Sequence, residues 1–237
     1  MSLSLYLRKP ENLVSRERLI FHRLAFDLKL ESAKVGHSLN ISTPEVDRDG
    51  YDLVIWANGE STHVQCKSYF RTPSASWNIH KTIICPSATY FPRIQHNGIA
   101  YPHFGYNGSL IVTEITIDDD EQIRLQYHYT DLLIIWMFAK NLIRKKRLSP
   151  TSAENFLSQL LNDESRISIP NQLTIKPKSV AHLLALMGLE STVSHVAKSN
   201  LRNLMINSNG YPISSTQFDL TTQTDINWLR GCTENVQ

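Results

Sequence analysis

The stretch GYDLVIWANGESTHVQCK, from Gly50 to Lys67, decides the fold of this chain. Two apolar runs flank Asn58-Gly59, a dipeptide that favours a two-residue hairpin turn because both residues tolerate positive φ. With that turn the two strands pair residue by residue, and counting outward from it places Asp52 opposite Gln65. Facing side chains in such a pair lie about 5 Å apart at Cβ.

Side chains alternate along a strand, so Lys67 is expected on the same face as Gln65. A carboxylate, an amide and an ammonium group would then converge at the end of this hairpin. A one-residue slip would send Asp52 to the other face, and Asp47 or Asp49 would then be the candidate acid. The same residues also fit a simpler interpretation, in which Asp52 is a turn acid that forms a diagonal salt bridge with Lys67.

An amphipathic helix is predicted upstream, over Glu11–Leu30. Its apolar positions recur with a helical period and form one stripe: Leu13, Ile20, Leu24 and Leu28. Glu17 lies on this stripe, so its carboxylate is expected to face the packed side of the helix and not water. An ion pair with a neighbouring arginine at the edge of the stripe is the alternative.

Further strands are predicted on both sides of the hairpin. Residues Val35–Ser42 alternate weakly and favour a first strand, which makes a three-strand meander with the hairpin. Ser109–Ile117 and Gln122–Tyr129 flank an acidic turn and predict two more strands, followed by a helix over Thr130–Arg147. That helix would end in RKKR, residues 144–147, which fits either a solvated cap on the helix dipole or a patch that contacts phosphate.

Residues 71–107 resist assignment to regular elements, because prolines, aromatic residues and histidines are mixed there. We expect a packed, irregular insertion; aromatic stacking on nucleic-acid bases is the alternative. His80, His96 and His103 lack the close spacing of typical metal ligands.

The composition changes after Ser149-Pro150, and we place a domain boundary between residues 147 and 148. The region 148–237 is predicted to be mainly helical, with a capping box at Thr151–Glu154 that opens the first helix. Two further helices, Ser179–Met187 and Ser191–Ile206, are separated by Gly188 and resemble a helix-turn-helix. Their spacing departs from that motif by one residue, so a plain helical bundle is the other interpretation.

Composition bounds the class of protein. The 237 residues are 41% hydrophobic and 19% charged, which is typical of a globular protein and suggests neither disorder nor a fibrous class. The net charge of +2 permits nucleic-acid binding through a local basic patch but does not demand it. Three scattered cysteines without CxxC spacing favour a reducing, cytoplasmic location. The longest apolar run, Leu132–Ala139, is far shorter than the roughly 20 residues that span a bilayer, so no membrane association is expected.

The chain resembles the PD-(D/E)XK nuclease superfamily in the order of three features: a helix with an acid, then GYD opening a strand, then VQCK in the next strand. Glutamine at the position of the second acid is similar to the Mrr-type branch of restriction endonucleases. The resemblance covers residues 11–70 and more loosely the strands to residue 129. It implies an α/β fold with a restriction-endonuclease-like core in residues 1–147.

The same resemblance implies roles for individual residues. Asp52 would be the essential metal-ligating carboxylate, Gln65 the second motif position, Lys67 the catalytic lysine and Glu17 the acid from the helix. Mg²⁺ or Mn²⁺ would be held by Asp52, Gln65, the Cys66 carbonyl and Glu17.

The activity implied is divalent-metal-dependent hydrolysis of DNA phosphodiester bonds, in restriction or another form of genome defence. The enzyme would act alone, as a homodimer or with a partner subunit. The alternative is a non-enzymatic DNA-binding protein, in which the nuclease core has decayed and the C-terminal helices bind DNA.

Overall fold

The computed structural model describes residues 2–44, 50–57, 59–70, 76–84, 108–160, 164–208 and 219–237. Its strands are β1 (Asn40–Ser42), β2 (Leu53–Ala57), β3 (Glu60–Phe70), β4 (Ser76–His80), β5 (Gly108–Ile117), β6 (Ile123–Asp131) and β7 (Arg166–Pro170). Its α-helices are α1 (Leu3–Arg8), α2 (Leu13–Lys34), α3 (Leu132–Ala139), α4 (Pro150–Gln159), α5 (Val180–Met187), α6 (Thr192–Asn207) and α7 (Leu220–Gly231). The chain therefore has an α/β fold, as the sequence predicts.

Five strands form one mixed sheet in the order β1-β2-β3-β5-β6. The first three strands are an antiparallel meander, β5 lies parallel to β3, and β6 returns antiparallel to β5. Helix α2 packs against β3 and against α5. The parallel step from β3 to β5 places the whole segment 71–107 in the connection between two central strands.

The hairpin has the register that its turn residues predict. Pairing runs from Ala57 with Glu60 to Leu53 with Val64. Gly59 has a φ of +83°, which favours glycine at this turn position. Asn58, like the alternative acids Asp47 and Asp49, lies outside the described residues.

Helix α2 is longer than predicted, because nothing interrupts it before Gly36, which has a φ of +75°. Ile20, Leu24 and Leu28 are buried as expected, whereas Leu13 is 42% exposed. The first strand, β1, is correspondingly short and begins at Asn40.

Helix α3 is much shorter than the predicted Thr130–Arg147. All eight of its residues are buried, and it ends at Ala139 before Asn141, which has a φ of +56°. The cationic run 144–147 therefore lies in a loop and does not cap a helix. Lys145 donates to the backbone oxygens of Gln172 and Thr174, at 3.2 and 2.6 Å.

The segment after residue 148 contains a strand that sequence reasoning missed. Strand β7 pairs antiparallel with β4 in a separate two-stranded sheet, and one buried cluster contains residues from both sides of residue 148. The first helix of this segment is capped by Ser149, whose Oγ accepts from the Ser152 N–H, so the predicted Thr151–Glu154 box does not form its start.

Helices α5 and α6 lie near their predicted positions, with Gly188 between them at a φ of +79°. Their axes are bent by 46° at this break. No single helix among the described residues is long and apolar enough to cross a membrane; α5 and α6 reach that length and composition only when taken together.

Candidate functional site

The candidate site lies where β2 ends and β3 continues. Strand β2 begins at Leu53, opposite Val64, whereas β3 runs on to Phe70. The Asp52 N–H still reaches the Val64 carbonyl, at 2.8 Å, but the pairing ladder stops one residue short of the predicted pair of Asp52 with Gln65. From Cys66 onward, β2 no longer pairs with β3, so the edge of β3 that faces β2 is left open by that strand.

Asp52 turns its carboxylate onto this open edge. Its Oδ2 accepts a hydrogen bond from the Cys66 N–H at 2.5 Å. The Asp52 side chain thus takes the place of the next backbone hydrogen bond between β2 and β3. This contact fixes the orientation of the carboxylate toward β3.

A cleft of about 870 Å³ separates this edge of β3 from the N-terminal half of α2. Asp52, Cys66 and Lys67 line it from the sheet, and Glu17 lines it from the helix. Cys66 and Lys67, which lie on opposite faces of β3, both line the cleft at the edge that β2 no longer covers. Four of the five residues proposed from the sequence therefore meet in one place.

Glu17 lies in the cleft for a different reason from the one predicted. It is exposed, and does not point into the packed side of α2. Neither Glu17 nor Lys67 makes a hydrogen bond or salt bridge to any described residue, so neither the expected arginine pair nor the Asp52–Lys67 salt bridge is seen in the described part of the chain.

Gln65 is directed away from the cleft. It is 7% exposed, and its Oε1 accepts a hydrogen bond from the His80 N–H at 2.9 Å. His80 in turn packs against Gly50, where an added Cβ would lie 2.0 Å from the His80 Cβ. Gln65 therefore holds β4 against the turn that leads into Asp52.

The donor set of the cleft suits a hard divalent cation. Asp52 and Glu17 supply carboxylate oxygens, the ligands that Mg²⁺ prefers. In an extended strand the N–H and C=O of one residue point to the same edge, so the Cys66 carbonyl faces the open edge of β3 to which its N–H is directed. Gln65 is not placed to join this set, and the described residues contain no group of three or more His, Cys, Asp or Glu side chains arranged to hold a metal.

The Cys66 side chain is unsuited to nucleophilic chemistry. Burial, together with the negative charge of Asp52, raises the pKa of this thiol well above its usual range, and Lys67 only partly offsets the effect. The thiol stays protonated near neutral pH, so Cys66 contributes to the site through its backbone.

Sequence reasoning missed Arg16, which also lines the cleft. Its Nη1 donates to the Leu7 carbonyl at 3.1 Å, and its guanidinium lies 5.5 Å from the centre of the Phe70 ring. Its Nε is buried and has no hydrogen-bond partner among the residues that the structure describes. The signal was present, since Arg16 precedes Ile20 by one helical turn and extends the buried row of α2.

A second polar cluster lies on β3, β5 and β6. The Tyr69 hydroxyl donates to Glu114 at 3.2 Å, and His128 Nε2 lies 3.4 Å from both of those groups. Burial lowers the pKa of His128 despite Glu114, and burial with Glu114 raises the pKa of Tyr69 to about 12. This cluster is therefore uncharged apart from the carboxylate.

The cations of the predicted recognition helix face inward. Lys198 of α6 is 3% exposed and lies 2.8 Å from Asp131, and Arg202 is 9% exposed. Burial alone would raise the pKa of Asp131, but Lys198, Arg202 and the Ile134 N–H outweigh it and hold the pKa below its usual value. These cations neutralise a buried carboxylate and are not presented to a DNA groove.

No known protein-family model matches this chain, and no curated protein matches it in sequence.

Proposed function

We propose that this chain is a divalent-metal-dependent endonuclease that hydrolyses DNA phosphodiester bonds. The observation that carries the proposal is the meeting of Asp52, Glu17, the Cys66 backbone and Lys67 in one cleft. The order of a helix, a three-strand meander and then a parallel strand supports the likeness to the PD-(D/E)XK nuclease core.

In the proposed reaction, the attacking water gives a proton to solvent and its oxygen forms a new bond to phosphorus. The bond from phosphorus to the leaving oxygen breaks, and that oxygen takes a proton from solvent. Asp52, oriented by the Cys66 N–H, would hold the cation together with Glu17 and the Cys66 carbonyl. A bound Mg²⁺ or Mn²⁺ supplies charge stabilisation on the phosphate oxygens and a water that ionises near neutral pH.

Lys67 is the group proposed to act on the reacting atoms. Its ammonium either orients the attacking water or donates to a phosphate oxygen as negative charge accumulates there. Gln65 acts as a positioning residue in this proposal, because its amide holds β4 and Gly50 behind Asp52.

The alternative function, DNA binding by the C-terminal helices, gains no support from α6. Its exposed face carries Val193 and Val196, which are 71% and 48% exposed, whereas Lys198 and Arg202 are buried. A non-enzymatic protein would therefore have to bind DNA through another surface.

Cleavage of supercoiled plasmid with Mg²⁺ or Mn²⁺ tests the proposal. We expect Asp52→Asn and Lys67→Gln each to lower the nicking rate by at least about 100-fold, because the first removes a charged ligand of the cation and the second removes the ammonium that acts on the reacting atoms. Lys29→Gln, which changes an exposed cation of α2 outside the cleft, is the matched control. Nicking that survives in both variants, or that is absent from the wild type with either metal, would contradict the assignment.

A further inference from the structure

The wall of the cleft formed by α2 combines exposed apolar side chains with cations. Leu13 and Val14 line the cleft and are 42% and 61% exposed. Arg16 and Arg18 line the same wall. Exposed apolar surface beside cations in a concave site indicates a ligand with an apolar part and an anionic part.

Arg16 is the stronger of the two anion-binding candidates. Its guanidinium is held by the Leu7 carbonyl and lies over Phe70, and the residue is half-buried where it lines the cleft. Arg8 lies on the same ring, 4.6 Å from its centre, so two cations are concentrated at the end of β3. A guanidinium positioned in this way favours a phosphate, whose oxygens accept from its N–H donors.

The size of the cleft fits one or two nucleotide units. Its volume of about 870 Å³ lies within the range of about 300–1,000 Å³ typical of small-ligand sites. A base stacked inside a duplex is covered by its neighbours and cannot pack on Leu13 and Val14. An unpaired base is accessible, because it can leave the stack and pack on apolar side chains.

We propose that this wall is a subsite for an unpaired nucleotide, with the base on Leu13 and Val14 and the phosphate on Arg16. The preferred substrate is therefore single-stranded DNA, or a strand that is locally unpaired. The substrate preference rests on the nuclease proposal, whereas the binding preference for single strands can be measured without any cleavage.

Binding in EDTA tests the subsite, because hydrolysis cannot then contribute. Fluorescence anisotropy measures the binding of three probes: a fluorescent oligothymidylate, an abasic strand of the same length and a blunt duplex. We expect the wild type to bind oligothymidylate more tightly than either of the others. Val14→Ser should weaken binding of oligothymidylate about tenfold, the value of burying a valine-sized side chain, and leave the abasic strand unaffected.

The chain offers matched controls. Leu19→Ser changes an apolar residue of α2 that is 51% exposed and lies outside the cleft, and it should leave all three affinities unchanged. Arg16→Gln should weaken binding of oligothymidylate and of the abasic strand alike, since both carry phosphates, whereas Lys29→Gln should change neither. Melting temperatures of Val14→Ser and Leu19→Ser that match that of the wild type would show that the fold is intact.

Duplex binding as tight as single-strand binding, or an unchanged affinity of Val14→Ser for oligothymidylate, would overturn the inference. The two proposals fail separately. A single-strand preference without metal-dependent cleavage would remove the nuclease assignment and keep the subsite. Cleavage that depends on Asp52 but shows no preference for single strands would keep the nuclease assignment and remove the subsite.

Discussion

Asp52 owes its position to a glycine two residues earlier. Gly50 has a φ of +76°, and it lies so close to His80 that an added Cβ would sit 2.0 Å from the His80 Cβ. Both the conformation and the contact require glycine here. In the GYD sequence, Gly50 is therefore required for the backbone conformation, and Asp52 carries the proposed chemistry.

Gly50→Ala should therefore be more costly than a substitution at a glycine with the same dihedral angle but open surroundings. Gly36 has a φ of +75° with nothing within 4 Å of an added Cβ, so Gly36→Ala should cost about 1 kcal/mol of unfolding free energy from backbone strain alone. Gly50→Ala should cost about 2 kcal/mol or more, because the His80 contact adds to the strain. Urea unfolding of both variants measures the difference, and equal losses would show that the contact with His80 relaxes freely.

At the scale of elements, the junction between β6 and α3 is organised by Asp131. Its carboxylate accepts from the Ile134 N–H at 2.9 Å as the cap of α3, accepts from the Tyr129 hydroxyl at 2.8 Å, and pairs with Lys198 of α6. One side chain thus joins a strand, the helix that follows it and a helix distant in sequence.

Asp131→Asn should destabilise the protein by about 3 kcal/mol, because it keeps the cap but leaves Lys198 buried without a counter-charge. Asp118→Asn, which breaks an exposed pair with Arg124, is the control and should cost less than about 1 kcal/mol.

The folded pKa of Asp131 is lowered, so the contribution of Asp131 to stability is present above the unfolded value of 3.8 and is lost as pH falls through the folded pKa. The gap between wild type and Asp131→Asn should therefore shrink below about pH 4 in denaturation experiments; a gap that is independent of pH would contradict this role.

Local patterns predicted those elements whose structure is decided locally. The turn at Asn58-Gly59 fixes a hairpin register that long-range contacts leave unchanged, and the period of Ile20, Leu24 and Leu28 identifies the buried side of α2. The direction of Gln65 was not predictable in this way. It is decided by His80, fifteen residues away in a segment without a clear pattern.

At the scale of the whole molecule, residues before and after position 148 pair with each other. Strand β4 has its partner, β7, in the C-terminal region, and Lys198 of that region neutralises Asp131. Arg144 exchanges two backbone hydrogen bonds with Gln237, at 2.8 and 2.9 Å. These pairings are long-range, so a change in composition along the chain could not reveal them.

A fragment of residues 1–147 should therefore not fold independently. It would lack the partner of β4 and would leave Asp131 without Lys198, at the end of a helix with eight buried residues. Far-ultraviolet circular dichroism during urea titration measures this, with the full chain as the control. We expect no cooperative transition for the fragment; a sigmoidal transition like that of the full chain would establish residues 1–147 as an autonomous domain.

The bond from the Cys66 amide to Asp52 makes one backbone proton a spectroscopic reporter of the candidate site. In the rest of the hairpin, amide protons are held by carbonyl oxygens, whose charge does not change with pH or with ligands. The Cys66 proton is held by a carboxylate, so its nuclear magnetic resonance frequency follows the protonation of Asp52 and the approach of any cation to it. A titration followed at this single resonance would therefore record the occupancy of the cleft in the intact protein, before any substrate is added.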